Sequence, residues 1–150
     1  MKKPLLLLSL GLLTIACGDQ TAPRADFEIT TTVSQDVARV GEEIRVTVTA
    51  TNISGRVQEI LTNDCIQAFQ VRDAAGRQVG PAGRSCLLVA SRQTLAPGAS
   101  YTITQGWVGD AVGPINAPPP KVEPGVYTIE GQLRLGEHVR VTPVTVRLLP

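Results

Sequence analysis

Beyond Phe27, apolar and polar residues alternate one by one through most of the chain, and a period of two suits a half-buried β-strand and little else. Residues 43–52 (EIRVTVTATN) carry the pattern most cleanly, with Ile44, Val46, Val48 and Ala50 on one side and Arg45, Thr47, Thr49 and Thr51 on the other. Residues 27–33 (FEITTTV) repeat it, placing Phe27, Ile29, Thr31 and Val33 on one face. Tyr101, Ile103, Gln105 and Trp107 share a side of residues 101–108, and Tyr127, Ile129, Gly131, Leu133 and Leu135 share a side of residues 126–135. Branched aliphatics interleaved with threonine favour strands over helices, and the sequence beyond the leader predicts no helix.

Turn residues punctuate these runs. Asn52-Ile53-Ser54-Gly55 reads as a turn feeding a strand at 56–61, so the Asn-x-Ser sequon there is taken as a turn asparagine. Residues 66–73 form another strand, closed by Ala74-Ala75-Gly76, and residues 77–80 start back. Gly80-Pro81-Ala82-Gly83 forbids regular structure before a strand at 86–91, and Leu95-Ala96-Pro97-Gly98 is a corner. Residues 34–41 read as a short crossing with Val37 and Val40 as its apolar contacts. Residues 109–123 hold four of the eleven prolines and no periodicity, which predicts a long loop. The last strand, 138–149, changes parity at Pro143, so a bulge or edge break is expected there. The fold expected is all-β, an immunoglobulin-like antiparallel β-sandwich of about 7–9 strands, with a small barrel as the alternative.

Apolar residues make up 43% of the 150 positions and aromatics only 3%, so the core must be built from Val, Ile, Leu and Ala. A chain this long can bury roughly two-thirds of its unfolded surface. Its first seventeen residues, MKKPLLLLSLGLLTIAC, have a basic start followed by an apolar run too short to cross a bilayer as a helix, as in an export signal. Thr14-Ile15-Ala16-Cys17 resembles a bacterial lipobox, which implies that Cys17 is the lipidated residue and the first of the mature chain; an ordinary signal peptide with an incidental Cys17, or an uncleaved anchor, is the alternative. The expected organisation is a signal peptide over 1–16, a flexible tether over 17–26 and a β-sandwich domain over 27–150. Lipid on Cys17 is then the only membrane contact, and the address is a bacterial cell envelope, at the outer membrane or facing the periplasm in a Gram-negative cell. Lys and Arg number 14 against 13 Asp and Glu. That balance provides no electrostatic attraction toward nucleic acid.

With Cys17 assigned to lipid, Cys65 and Cys86 remain, an even number in an exported chain. A disulfide between them closes a loop of about 22 residues and contributes on the order of 3 kcal/mol by loop entropy. A metal site would need further ligands, and His138 is the one histidine. A redox pair would need closer cysteines. Trp107 reads as a core anchor, His138 as a solvent-facing strand residue, and Asp64, Asp73 and Asp110 as turn residues. No triad, nucleophile elbow or calcium-ligand run is present, so no catalytic, cofactor or metal residue is assigned and no enzyme is expected.

Several of these pieces follow one another over residues 40–135 in a recognisable order: Gly41 before an alternating strand, Thr51-Asn52-Ile53-Ser54-Gly55, Phe69-Gln70-Val71-Arg72-Asp73-Ala74-Ala75-Gly76, Leu95-Ala96-Pro97-Gly98, Trp107, and Pro124-Gly125-Val126-Tyr127-Thr128-Ile129. The order resembles the BsuPI-type intracellular proteinase inhibitor domain. The resemblance implies an immunoglobulin-like sandwich and, by the family's name, inhibition of a proteinase. The expected function is therefore that of a non-enzymatic envelope lipoprotein binding a protein partner through the loops at 77–86 and 109–123, with a protease as the alternative partner.

Overall fold

The computed structural model describes residues 25–62, 66–83, 91–114, 117–133, 135 and 138–150. Among these the chain is all-β, without a helix, in eleven strands. One sheet contains β1 (Phe27–Val33), β3 (Ile44–Asn52), β8 (Ser100–Trp107) and β10 (Val139–Thr142), in the order β10-β1-β3-β8. A second contains β2 (Val37–Arg39), β5 (Phe69–Arg72), β6 (Gln78–Gly80), β9 (Gly125–Gly131) and β11 (Val144–Leu149), in the order β2-β11-β9-β5-β6. β4 (Gln58–Thr62) and β7 (Ser91–Leu95) form a separate two-stranded ribbon.

The alternation settles which side of each strand faces inward. Ile44, Val46, Val48 and Ala50 of β3 are wholly buried, and they pack with Phe69, Val71, Ile129 and Val146 from the second sheet in one continuous core. The arrangement is sandwich-like. Its bulk is aliphatic, as the composition requires, yet its largest fully buried side chains are Trp107, Phe27 and Phe69. On the opposite side of the first sheet the β3 threonines pair in register with β8, Thr47 Oγ1 to Thr104 Oγ1 at 2.9 Å and Thr49 Oγ1 to Thr102 Oγ1 at 3.1 Å. Such cross-strand hydroxyl pairs hold an outer strand to its neighbour.

Four expectations change. The sheets are mixed rather than purely antiparallel, because β10 runs parallel to β1 and β2 parallel to β11. Both parallel pairings arise where the chain leaves one sheet for the other. At Pro143 the expected bulge is a change of sheet: Val139–Thr142 pairs with β1, whereas Val144 onward pairs with β9. Proline has no N–H to give to a ladder, so the chain can leave one sheet there without abandoning a donor. Near residue 37 the buried side chain is Ala38, while Val37 is 47% exposed. Ser91–Leu95 is a strand, which the sequence left between a strand at 86–91 and a corner; residues 84–90 lie outside the described residues.

The turn at Asn52 carries more than its sequence suggests. Asn52 is fully buried, with Nδ2 donating to the carbonyls of Arg56 (2.8 Å) and Leu95 (2.9 Å). Its Oδ1 accepts from Ser54 N (3.0 Å) and Ser54 Oγ (2.7 Å). One side chain thus ties the turn after β3 to the end of β7.

Candidate functional site

The facing edges of the two sheets are β8 and β6. Between them opens a cleft of about 250 Å³, lined by segments that the sequence places far apart, including Gln67, Pro81, Gly83, Gln105, Trp107 and Pro119. Its floor is Trp107, 1% exposed, whose indole meets the Tyr127 ring edge to face at a centroid distance of 6.0 Å. The indole N–H donates to the Asp110 carbonyl at 3.0 Å. A buried indole needs such a partner, and Gly80 leaves room for it: a Cβ there would lie 2.7 Å from the Asp110 oxygen.

The long loop after β8 is pinned rather than structureless. Asp110 and Lys121 form an antiparallel bridge, flanked by Ala111 N to Pro120 O and Val122 N to Gly109 O, both 2.8 Å. Lys121 Nζ closes the base with bonds to Asp110 Oδ1 (2.6 Å) and the Val108 carbonyl (3.1 Å). Val112 N donates to Val79 O at 2.8 Å, which fastens the loop to β6. On the other wall, Gln105 stands in for a missing strand: its Oε1 accepts from Ala68 N (3.1 Å) and its Nε2 donates to Ile66 O (2.6 Å). Gln67 Nε2 reaches the Pro81 carbonyl at 3.2 Å.

These bonds engage the polar side chains that the described residues place around the opening. Among the described residues Asp110 is the one ionisable residue of the lining, and Lys121 neutralises it. Pro81, Ala82, Gly83, Gly106 and Pro119 complete a small, uncharged surface. Beneath it the Tyr127 hydroxyl donates to the Glu123 carbonyl. Burial first, then the carboxylates of Asp73 and Glu123, hold its pKa above the ordinary phenol value.

Sequence-assigned residues fare unequally. Trp107 is the core anchor expected, and Asp73 is a turn residue whose Oδ1 takes the backbone N–H groups of Ala75 and Arg77, each at 2.9 Å. The Arg77 guanidinium bonded to it holds the Asp73 carboxyl below its usual pKa. His138 is exposed, as expected of a solvent-facing position. Cys17, Cys65, Cys86 and Asp64 lie outside the described residues. Sequence reasoning missed Gln105, Gln67 and Lys121, whose roles depend on partners distant along the chain.

No family model matches the chain, and no curated protein does. Among solved structures it is similar to a β-glucosidase from Erythrobacter marinus, with 15% identity over 83% of this chain and 16% of that one and a TM-score of 0.51. It is also similar to an alkylpurine DNA glycosylase from Pseudomonas fluorescens bound to DNA, with 15% identity over 84% of this chain and 31% of that one and a TM-score of 0.50. The chain thus spans less than a third of either structure, and the likeness concerns the all-β fold alone.

Proposed function

We propose that this chain is a non-enzymatic, lipid-anchored protein of the bacterial cell envelope, whose immunoglobulin-like sandwich binds a protein partner at the cleft between β8 and β6. One observation carries the reading. The two loops marked out by sequence, 77–86 and 109–123, both line this single opening, through Pro81 to Gly83 and through Asp110 and Pro119. Among the described residues its polar side chains are bonded within the chain and its one carboxylate is paired, which suits contact rather than acid–base chemistry.

The immunoglobulin-like assignment is supported by topology. Sheet order β1-β3-β8 against β11-β9-β5-β6, with the first part of the chain divided between the two sheets, follows the order of such domains. Tyr127, bonded to a carbonyl four residues upstream, occupies the place of a tyrosine corner. A Cys65–Cys86 disulfide belongs to the same reading, on the even cysteine count left once Cys17 carries lipid. The test is capture of partners from envelope extract by the full chain and by Gly83→Arg. Gly83 is exposed and an added Cβ meets no atom of the described residues within 4 Å, so the variant is expected to fill the cleft and keep the fold. A partner held by the parent and lost by the variant is expected, and a captured proteinase would identify the alternative partner. A partner retained equally by both would refute the cleft as the binding surface.

A further inference from the structure

We propose that the exposed face of β4, with Val57 beside it and Leu61 on it, is a membrane-contact surface that rests among lipid headgroups. The inference rests on lipid attachment at Cys17. Val57 is 60% exposed and Leu61 52%, and both share the outward parity of β4, whose inward residue Ile60 packs on Phe27. What covers them follows from where the tether joins the domain. The Asp26 carbonyl accepts from Ile53 N (2.9 Å) and Ser54 N (3.2 Å), and Arg56 Nη2 lies 3.5 Å from Asp26 Oδ2. The chain from Cys17 therefore enters the domain at the turn that leads directly into Val57. Nine residues of chain separate Cys17 from Asp26, a length that reaches about 16 Å as a random coil and at most about 30 Å when extended.

Trp107 stands at the other end of the eight-residue β8 from Ser100, which is on the Phe27 side; that separation is about 23 Å at ~3.3 Å per residue. Charge does not oppose the contact, because Glu59, between the two aliphatics, is paired with Arg92 at 3.1 Å. Two aliphatic side chains would hold a free domain weakly. A short tether raises the local lipid concentration so far that a weak contact stays made.

The experiment uses the full chain purified from bacterial membranes and placed in phosphatidylethanolamine–phosphatidylglycerol vesicles with brominated acyl chains, its intact mass measured alongside. Val57→Trp and Leu61→Trp each add a second tryptophan to the buried Trp107, and Val112→Trp, at a position 56% exposed beside the cleft, serves as the distal control. An acylated chain whose emission from position 57 or 61 falls roughly twofold, with position 112 unaffected, is expected for shallow insertion. An acylated chain quenched no more at 57 and 61 than at 112 overturns the contact surface and leaves the anchor standing. An unacylated mass overturns the anchor and the contact surface together.

Discussion

Replacing Asn52 with alanine should be among the costliest single changes available in this chain. The side chain is wholly buried and makes four hydrogen bonds, two donated to carbonyls and two accepted from Ser54. Alanine strands the Leu95 carbonyl in the interior, whereas the Arg56 carbonyl keeps the Ser54 hydroxyl at 3.1 Å and water can reach it. One buried orphan costs about 1–3 kcal/mol, and each remaining lost bond adds about 0.5–1.5 kcal/mol. The sum is about 2.5–7.5 kcal/mol, which lowers Tm by roughly 8–30 °C for a domain of this size. Urea denaturation followed by circular dichroism measures it. Asn52→Asp sharpens the test, since it keeps the acceptors but sets a carboxylate against two carbonyls and raises the group's folded pKa above its unfolded value. Its stability is then fullest below about pH 4 and declines as pH rises through the folded pKa. Asn52→Ala costing under about 1 kcal/mol, with an unchanged denaturant slope, would refute the argument.

Gly131→Ala should destabilise by about 1–3 kcal/mol through overpacking, because an added Cβ would lie 2.6 Å from Ile29 Cγ2 and 2.8 Å from Val48 Cγ1; a neutral result would mean the two sheets separate freely. Tyr127→Phe should cost about 1 kcal/mol at neutral pH. Since the folded Tyr127 pKa is raised above 10.0, its contribution is complete below that pH and disappears as pH rises through the folded value, so the Phe variant should lack that part of the alkaline loss. Intact mass after alkylation, with and without prior reduction, should show Cys65 and Cys86 blocked until reduced; alkylation of both in the unreduced chain would remove the disulfide.

The strand faces were legible because alternation is a local property: β3 and β9 bury the residues that their parity selects, Ile44 through Ala50 and Tyr127 through Gly131. Turns at Asn52 and Gly76 were legible for the same reason, since Asn side chains bond to nearby backbone and Gly76 takes a φ of 77°. The site was legible only as two loops. That they meet depends on β8 and β6 forming the facing edges of the sandwich, a relation between residues in separate strands.

Pairing direction is decided at still longer range. Each strand could be read from its own residues, whereas Val139 beside Phe27 and Arg147 beside Val37 join the start of the domain to its end, in parallel. Nothing in a local pattern distinguishes a bulge at Pro143 from a change of sheet, because both reverse the parity of the residues that follow. Asn52 shows the same division: its type and neighbours predict a turn, but the Leu95 carbonyl that makes it a buried tie comes from 43 residues away. Periodicity records which face of a strand avoids water. Which carbonyl, edge or loop that face meets is settled only when the whole core closes.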